Sequence, residues 1–302
     1  MNELEHDKVD GAEQVLGRTV TYPQTYKPEV LVGIPRSLNR HRMGIGDDAL
    51  PFNGCDIWHA YEASCLTDNG LPTAGMLKIK VPATSRCIVE SKSLKLYLNS
   101  FNMEKMGRTA AEANKKMTEV VSRDLTSLLG APIEVCFFDS MAMTHSTPEH
   151  DDRYQTIEEM ASARNVVVKS YTESPDLLKA VDAKEGSMQF IKSHLLRSNC
   201  PVTHQPDWGT IYVAVDGGRH VSPASLLEYI VSLRGENHFH EEICELVFKR
   251  LTDLLTPDRL SVACRYTRRG GIDITPVRES GHWGLWNSMT DTDILTERVD
   301  RM

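Results

Sequence analysis

The sequence predicts an α+β fold in which one plan of strands and helices is used twice. Three observations predict it. Strand-like alternation and helical spacing are kept in separate segments. Both kinds of segment occur in each half of the chain. Short strings of the first half return in the second.

Residues 1–30 are polar and irregular and read as an arm. Met76, Leu77, Ile79, Val81, Ile88 and Val89 mark 76–90 as strand with a turn near Pro82. Residues 109–129 space Ala and Met between Lys and Glu, an amphipathic helix stopped by Gly130. A-P-I-E-V-C-F-F-D-S at 131–140 reads as another strand. The polar stretch 141–165 links the halves, and divides the chain into domains 1–145 and 146–302. Residues 187–197 and 209–216 suit strands. Pro223 opens a helix carrying Leu226, Leu227, Ile230 and Val231. A second helix covers 240–255 and a strand 259–266. The echoes join the halves: Tyr97-x-x-Ser100 with Tyr229-x-x-Ser232, and R-D-L-T-S-L-L at 123–129 with K-R-L-T-D-L-L at 249–255. Trp58 and Trp208 each follow an Asp within two residues.

With 302 residues the chain is long enough for one large or two medium domains. Its net charge of -8 is wrong for a polycation that binds nucleic acid directly. The seven cysteines, at 55, 65, 87, 136, 200, 244 and 264, are odd in number and include no C-x-x-C pair. That argues against a zinc site or disulfide framework and suits a reducing cytoplasm. The charged N-terminus M-N-E-L-E-H-D-K is no signal peptide, and no apolar run has the ~20 residues that span a bilayer.

Chemistry concentrates in S-N-C-P-V-T-H-Q-P-D-W at 198–208. Pro201 restrains the backbone beside Cys200, and Asp207 follows seven residues on. A thiol can add to an electrophilic carbon and a carboxyl can then supply a proton. A buried structural Cys200 and a turn-forming Asp207 are the bland alternatives. Gly44-Ile45-Gly46-Asp47-Asp48-Ala49 matches G-x-G-x-x-A, but it follows no strand and Pro51 closes it, so it is not a dinucleotide fingerprint. His238-x-His240 is half a metal site with no third ligand suggested by spacing.

The 198–208 string and E-S-K-S-L-K-L-Y-L-N-S-F-N at 90–102 together resemble the long form of the QueF family. G-I-P-R-S-L-N-R at 33–40, D-I-W at 56–58, F-H-E at 239–241 and Y-T-R-R-G-G-I-D-I at 266–274 extend the resemblance to about Pro276. Members of that family are NADPH-dependent 7-cyano-7-deazaguanine reductases, which turn a nitrile into an aminomethyl group on the route to queuosine in tRNA.

The resemblance implies two tandem tunnelling-fold (T-fold) domains, each an antiparallel sheet with a helix pair on one face, in a cytoplasmic homodimer. It implies Cys200 as the nucleophile that forms a covalent thioimide and Asp207 as the acid. An acid at neutral pH requires burial to raise Asp207 above its usual ~3.9. Ile88, Val89, Glu90, His240 and Glu241 are then expected at the heterocycle, whose adjacent donors one carboxylate can accept. Ser91, Lys92, Lys95, Arg269 and Gly270, with Arg268, are expected at NADPH. No metal is expected, and His204 is expected to position rather than react. The alternatives are a T-fold cyclohydrolase or pterin-type enzyme, which would want metal ligands, and a non-catalytic purine-binding scaffold.

Overall fold

A computed structural model describes residues 23, 25–46, 49–139, 151–163, 166–184, 186–281 and 283–295. Most of the expected arm and the first part of the expected link therefore lie outside the described residues. The first half contains β1 (Gly33–Pro35), α1 (Ser37–Arg42), β2 (Asn53–Thr67), β3 (Pro72–Pro82), β4 (Cys87–Val89), α2 (Ser91–Asn99), β5 (Lys105–Gly107), α3 (Ala110–Leu129) and β6 (Glu134–Phe138). The second contains β7 (Gln155–Thr156), β8 (Ala180–Asp182), β9 (Met188–Asn199), β10 (Pro206–Asp216), β11 (Arg219–Val221), α4 (Pro223–Ser232), α5 (His240–Leu255), β12 (Arg259–Tyr266), β13 (Ile272–Glu279) and α6 (Asn287–Thr290). The fold is mixed α+β. In each half a long hairpin is followed by two helices and a strand that returns to pair with the hairpin's second strand.

Nine strands form one sheet in the order β6-β3-β2-β13-β12-β10-β9-β7, with β5 set beside β2. Only the short β5 and β7 pair in parallel; every long neighbour pair is antiparallel. The halves join where β13 pairs with β2, from Ile272 opposite Ala60 to Glu279 opposite Asn53. That seam is central to the sheet.

The helices show why the elements form where they do. In α3, Ala113, Met117, Val121, Leu125 and Leu129 are buried at a spacing of four, one stripe against the sheet. The Thr109 side chain accepts the Glu112 N–H at its start. Gly130 at φ 68 ends it in the left-handed conformation that a glycine adopts without strain. In α5, Glu242 reaches back to the Phe239 N–H at 3.1 Å, and Thr256 and Pro257 end the helix. Two apolar cores lie under the helices, one under α2 and α3 and one under α4 and α5, and each takes in a few residues of the other half.

The opposite face is covered in part by the segment after Glu279, to which the sequence assigned no structure. Trp286 and Met289 pack there on Tyr212, Ala214 and Ala263, the strand positions that alternate with the helix-facing ones. Buried Lys78 on β3 donates to the carbonyls of Asp291 at 2.7 Å and Ile294 at 2.6 Å. Lys78→Met keeps the length of the side chain and removes the donor. It is expected to lower stability by about 1–3 kcal/mol, read as a shift in the denaturant midpoint.

Candidate active site

The β9–β10 hairpin explains the spacing of Cys200 and Asp207. Asn199 stands opposite Pro206 and Ser198 opposite Asp207, so 200–205 is the connecting loop. The Cys200 N–H donates to the Gln205 carbonyl and the His204 N–H to the Cys200 carbonyl, both at 2.9 Å. His204 adopts a φ of 55 there, and its Nδ1 lies 2.9 Å from Asn237 Oδ1. The Asn199 N–H donates to Glu236 O at 2.8 Å and the His238 N–H to Asn199 O at 3.0 Å. These bonds stitch the hairpin tip to the loop that launches α5. They hold Cys200 in register with His240 and Glu241 on that helix's first turn.

The hairpin opens on a cavity of about 450 Å³ at the seam between the halves. Cys200 and Asp207 line it, with Phe239, His240 and Glu241 from the start of α5. Val89, Ser91, Lys92 and Lys95 come from the β4–α2 corner, and Trp58 from β2. Thr267, Arg269 and Gly270 come from the β12–β13 turn. Ten of the thirteen residues named in advance for catalysis, substrate or cofactor thus line one space.

Ile88 and Glu90 do not line it. Ile88 is buried behind the wall with Ile34, packed on Val202 and Phe239. Glu90 is the N-cap of α2, accepting the Lys92 N–H at 3.0 Å and the Ser93 N–H at 2.7 Å. Both carboxylate oxygens are therefore engaged with the backbone, and the glutamate that lines the cavity is Glu241.

Asp207 departs from the expected protonation. Burial alone would raise its carboxyl. The hydrogen bond and charge of His240, whose Nε2 lies 3.5 Å away, and the charge of Arg269 outweigh burial and hold it below its ordinary range. The Arg269 guanidinium pairs directly with Asp207 and also reaches Gln205 Oε1 at 2.5 Å. Asp207 is therefore a carboxylate in this arrangement, not a carboxylic acid. The His240 ring is set by Tyr266, with centroids 4.0 Å apart.

Glu241 behaves in the opposite way. It is buried, and its carboxyl is pushed up to about 8, by burial first and by the charge of Asp56 second, against Arg36 and Arg278. On the cationic side, Lys95 lies 3.9 Å from Glu62. Gly270, at φ 58, packs beside it, and a Cβ there would come within 3.0 Å of Lys95 Nζ. Ser91 and Lys92 begin the nine-residue helix α2. Two ammonium groups, a helix start and a side-chain-free turn suit the phosphates of a dinucleotide. Arg268 instead lies over the Tyr61 ring at 4.7 Å, outside the residues lining the cavity. Among the described residues no group of three or more His, Cys, Asp or Glu has the arrangement of a metal site.

Sequence reasoning missed Trp58, Phe239 and the turn residue Thr267 as cavity walls, and the buried ionic groups behind Glu241. D-I-W and F-H-E marked two of these places, but a three-residue string carries no geometry.

A family model described as nitrile reductase, 7-cyano-7-deazaguanine-reductase N-term, matches residues 22–137. A model described as QueF-like protein matches 206–283. Val89, Ser91, Lys92 and Lys95 fall in the first match, and Asp207, Glu241 and Arg269 in the second; Cys200 lies between them. A curated relative, the NADPH-dependent 7-cyano-7-deazaguanine reductase of Azoarcus sp. (strain BH72), is 41% identical over 281 residues, covering 93% of this chain and 95% of its own. Among solved structures, the archaeosine synthase QueF-Like in the apo form aligns with a TM-score of 0.31 and 22% identity, over 32% of this chain and 97% of that one.

Proposed function

The chain belongs to the long-form QueF family of 7-cyano-7-deazaguanine reductases, and from that premise we propose how its residues carry out the reaction. The enzyme reduces the nitrile of 7-cyano-7-deazaguanine to 7-aminomethyl-7-deazaguanine, with NADPH as reductant. The observation that carries the reading is a thiol and a carboxylate at the end of one hairpin, facing a cavity that both halves line.

The Cys200 sulfur adds to the nitrile carbon. The nitrile nitrogen gains a proton as the C–S bond forms, giving a thioimide. An ionised Asp207 needs no proton from bulk water for this step. It accepts the thiol proton of Cys200 and passes it to the nitrogen, so charge is conserved within the site. His240 and Arg269 hold the carboxylate in place and stabilise its charge. Glu241 accepts the adjacent N–H and amino donors of the heterocycle. Ser91, Lys92, Lys95 and Gly270 would hold NADPH; each NADPH would supply one hydride, and two bound in succession, with two protons taken up, would supply the four electrons that nitrile-to-amine reduction needs.

The repeated order of hairpin, helix pair and returning strand supports two tandem T-fold domains divided near 145/146. Strand β6 ends the sheet as a five-residue edge, which supports assembly with a second copy as a homodimer. Free cysteines and the net charge of -8 support a cytoplasmic enzyme acting on the free base rather than on tRNA.

The direct test is NADPH oxidation with 7-cyano-7-deazaguanine, scored by product mass. Two NADPH consumed per aminomethyl product is the expected stoichiometry; heterocycle binding with no NADPH consumed would favour the scaffold reading. Lys92→Ala is expected to raise the Michaelis constant for NADPH about tenfold to a hundredfold. Addition of Cys200 to the nitrile should remain intact, since it precedes hydride transfer.

A further inference from the structure

Tyr266 and Gly209 stand beside the relay, and no step above uses them. Tyr266 ends β12 opposite Gly209 on β10 and is 5% exposed. Its ring lies against the His240 imidazole, with centroids 4.0 Å apart and the planes at 52°. The same imidazole brings Nε2 to 3.5 Å from Asp207 Oδ2. Asp207 and Gly209 are two residues apart on β10 and share a face, so Tyr266, opposite Gly209, belongs to that face too. Gly209 makes the room for the ring. A Cβ there would come within 3.2 Å of Tyr266 Cδ1 and 2.8 Å of the Arg265 carbonyl oxygen. The Thr267 N–H donates to Trp208 O at 2.9 Å, which fixes the two strands at this level.

We propose that Tyr266, seated on Gly209, is a positioning residue for the proton relay: its ring holds the His240 imidazole where Nε2 meets the Asp207 carboxylate. This rests on the reading of Asp207 as the relay.

The argument is one of geometry. A separation of 3.5 Å is at the limit of a hydrogen bond, so a small rotation of the imidazole loses it. Among the described residues, the imidazole pairs with Asp207 and stacks on Tyr266, and no other hydrogen bond fixes its rotation. The Tyr266 hydroxyl is not what anchors the pair. It is buried near the Ser198 hydroxyl, and neither makes a hydrogen bond of ordinary geometry. The face of the ring remains as the surface that restricts the imidazole. Arg269, the other partner of Asp207, has a side chain 37% exposed and is also expected at the cofactor. His240 is therefore the partner that Asp207 does not share with NADPH. Asp207 faces His240 from α5, Arg269 from the β12–β13 turn and Tyr266 from β12, with Cys200, Glu241, Lys92 and Lys95 around the same cavity. Burial raises the Asp207 carboxyl, and the hydrogen bond and charge of His240 lead the groups that lower it. An imidazole that turns away leaves the carboxylate less well held, and its titration moves up.

The test is the rate of thioimide formation without NADPH, followed by stopped-flow absorbance across pH. Tyr266→Leu keeps an apolar side chain and removes the ring. It is expected to slow adduct formation about 10- to 100-fold and to move the acid limb to higher pH. Tyr266→Phe keeps the ring and should restore both rate and profile. Gly209→Ala pushes on the ring from the opposite strand and should give the signature of Tyr266→Leu, so either variant carries the test if the other fails to fold. In an Asp207→Asn background, Tyr266→Leu should slow the step no further, because its effect passes through that carboxylate. A folded Tyr266→Leu protein with unchanged rate and acid limb would overturn the proposal. So would a Tyr266→Phe protein as slow as Tyr266→Leu, or a Tyr266→Leu loss that persists in full beside Asp207→Asn. Asp207→Asn alone separates the two readings. If it forms the adduct at full speed, the relay itself is wrong and the role of Tyr266 falls with it; if it is slow while Tyr266→Leu is not, only the role of Tyr266 fails.

Discussion

Cys200→Ala is expected to remove turnover by about 10⁴-fold or more, because no other group in the cavity replaces a thiol that forms a bond to the substrate. Binding of the heterocycle should persist, since Glu241 and the cavity walls are untouched. The other cysteines provide the control. Cys55, Cys65, Cys244 and Cys264 are buried in the sheet and helix cores, and Cys87 and Cys136 are partly exposed away from the cavity lining. Burial pushes the Cys55 thiol up to about 12 and Cys65 to about 11, far from a reactive thiolate. Alanine or serine at any of the six should leave activity largely intact, with a loss of stability at the buried four.

Asp207→Asn keeps the shape of the side chain and cannot carry a proton between sulfur and nitrogen. It is expected to slow both thioimide formation and turnover by about 10²–10⁴-fold, with little change in heterocycle affinity. Equal losses of binding and rate would mark Asp207 as a positioning group only. The depressed carboxyl also gives the pH dependence a sign. Relay through Asp207 needs the carboxylate form, so adduct formation falls as pH drops through its lowered folded value. Arg269→Ala removes one of the two charges that hold it low. The acid limb of adduct formation should then move to higher pH. Stopped-flow absorbance without NADPH isolates this step from the effect of Arg269 on the cofactor.

Much of this was legible because the physics is local. Residues 109–129 are the helix Ala110–Leu129 and its Thr109 cap, and 240–255 and 259–266 match their elements end to end. Apolar spacing, a capping threonine and a glycine stop are all readable within a few residues. The long strand β2 was not read. It is the central strand of the seam and carries buried Asp56 and His59 among apolar neighbours, with irregular pairing between Ala60 and Ala63. Simple alternation fails in such a strand, because both faces are covered and some of the buried groups are charged. Helix α2 lay hidden inside the string at 90–102 that was read for its chemistry. There Glu90 spends its carboxylate on the helix cap rather than on the cavity. The sequence assigns no element to the segment around Trp286, whose burial comes from the sheet face it lands on.

The site follows the same division. Cys200 and Asp207 share one hairpin, so seven residues of sequence contain their relation. The pairing of Asp207 with Arg269 crosses 62 positions, and Arg40 meets Glu245 across 205. No spacing rule reaches that far. Burial was expected to raise the Asp207 carboxyl, but His240 and Arg269, brought in from distant positions, lower it instead, and no sequence spacing shows cations that fold against a carboxyl.

The covalent step is the centre of this account, and one measurement reaches it directly. Protein is mixed with 7-cyano-7-deazaguanine in the absence of NADPH, and the intact mass is taken before and after peptide mapping. The account predicts a gain equal to the whole mass of the nitrile, on the peptide that contains Cys200, reversed to aminomethyl product when NADPH is added. An unmodified enzyme that still turns over, or a gain carried by any other cysteine, would contradict it.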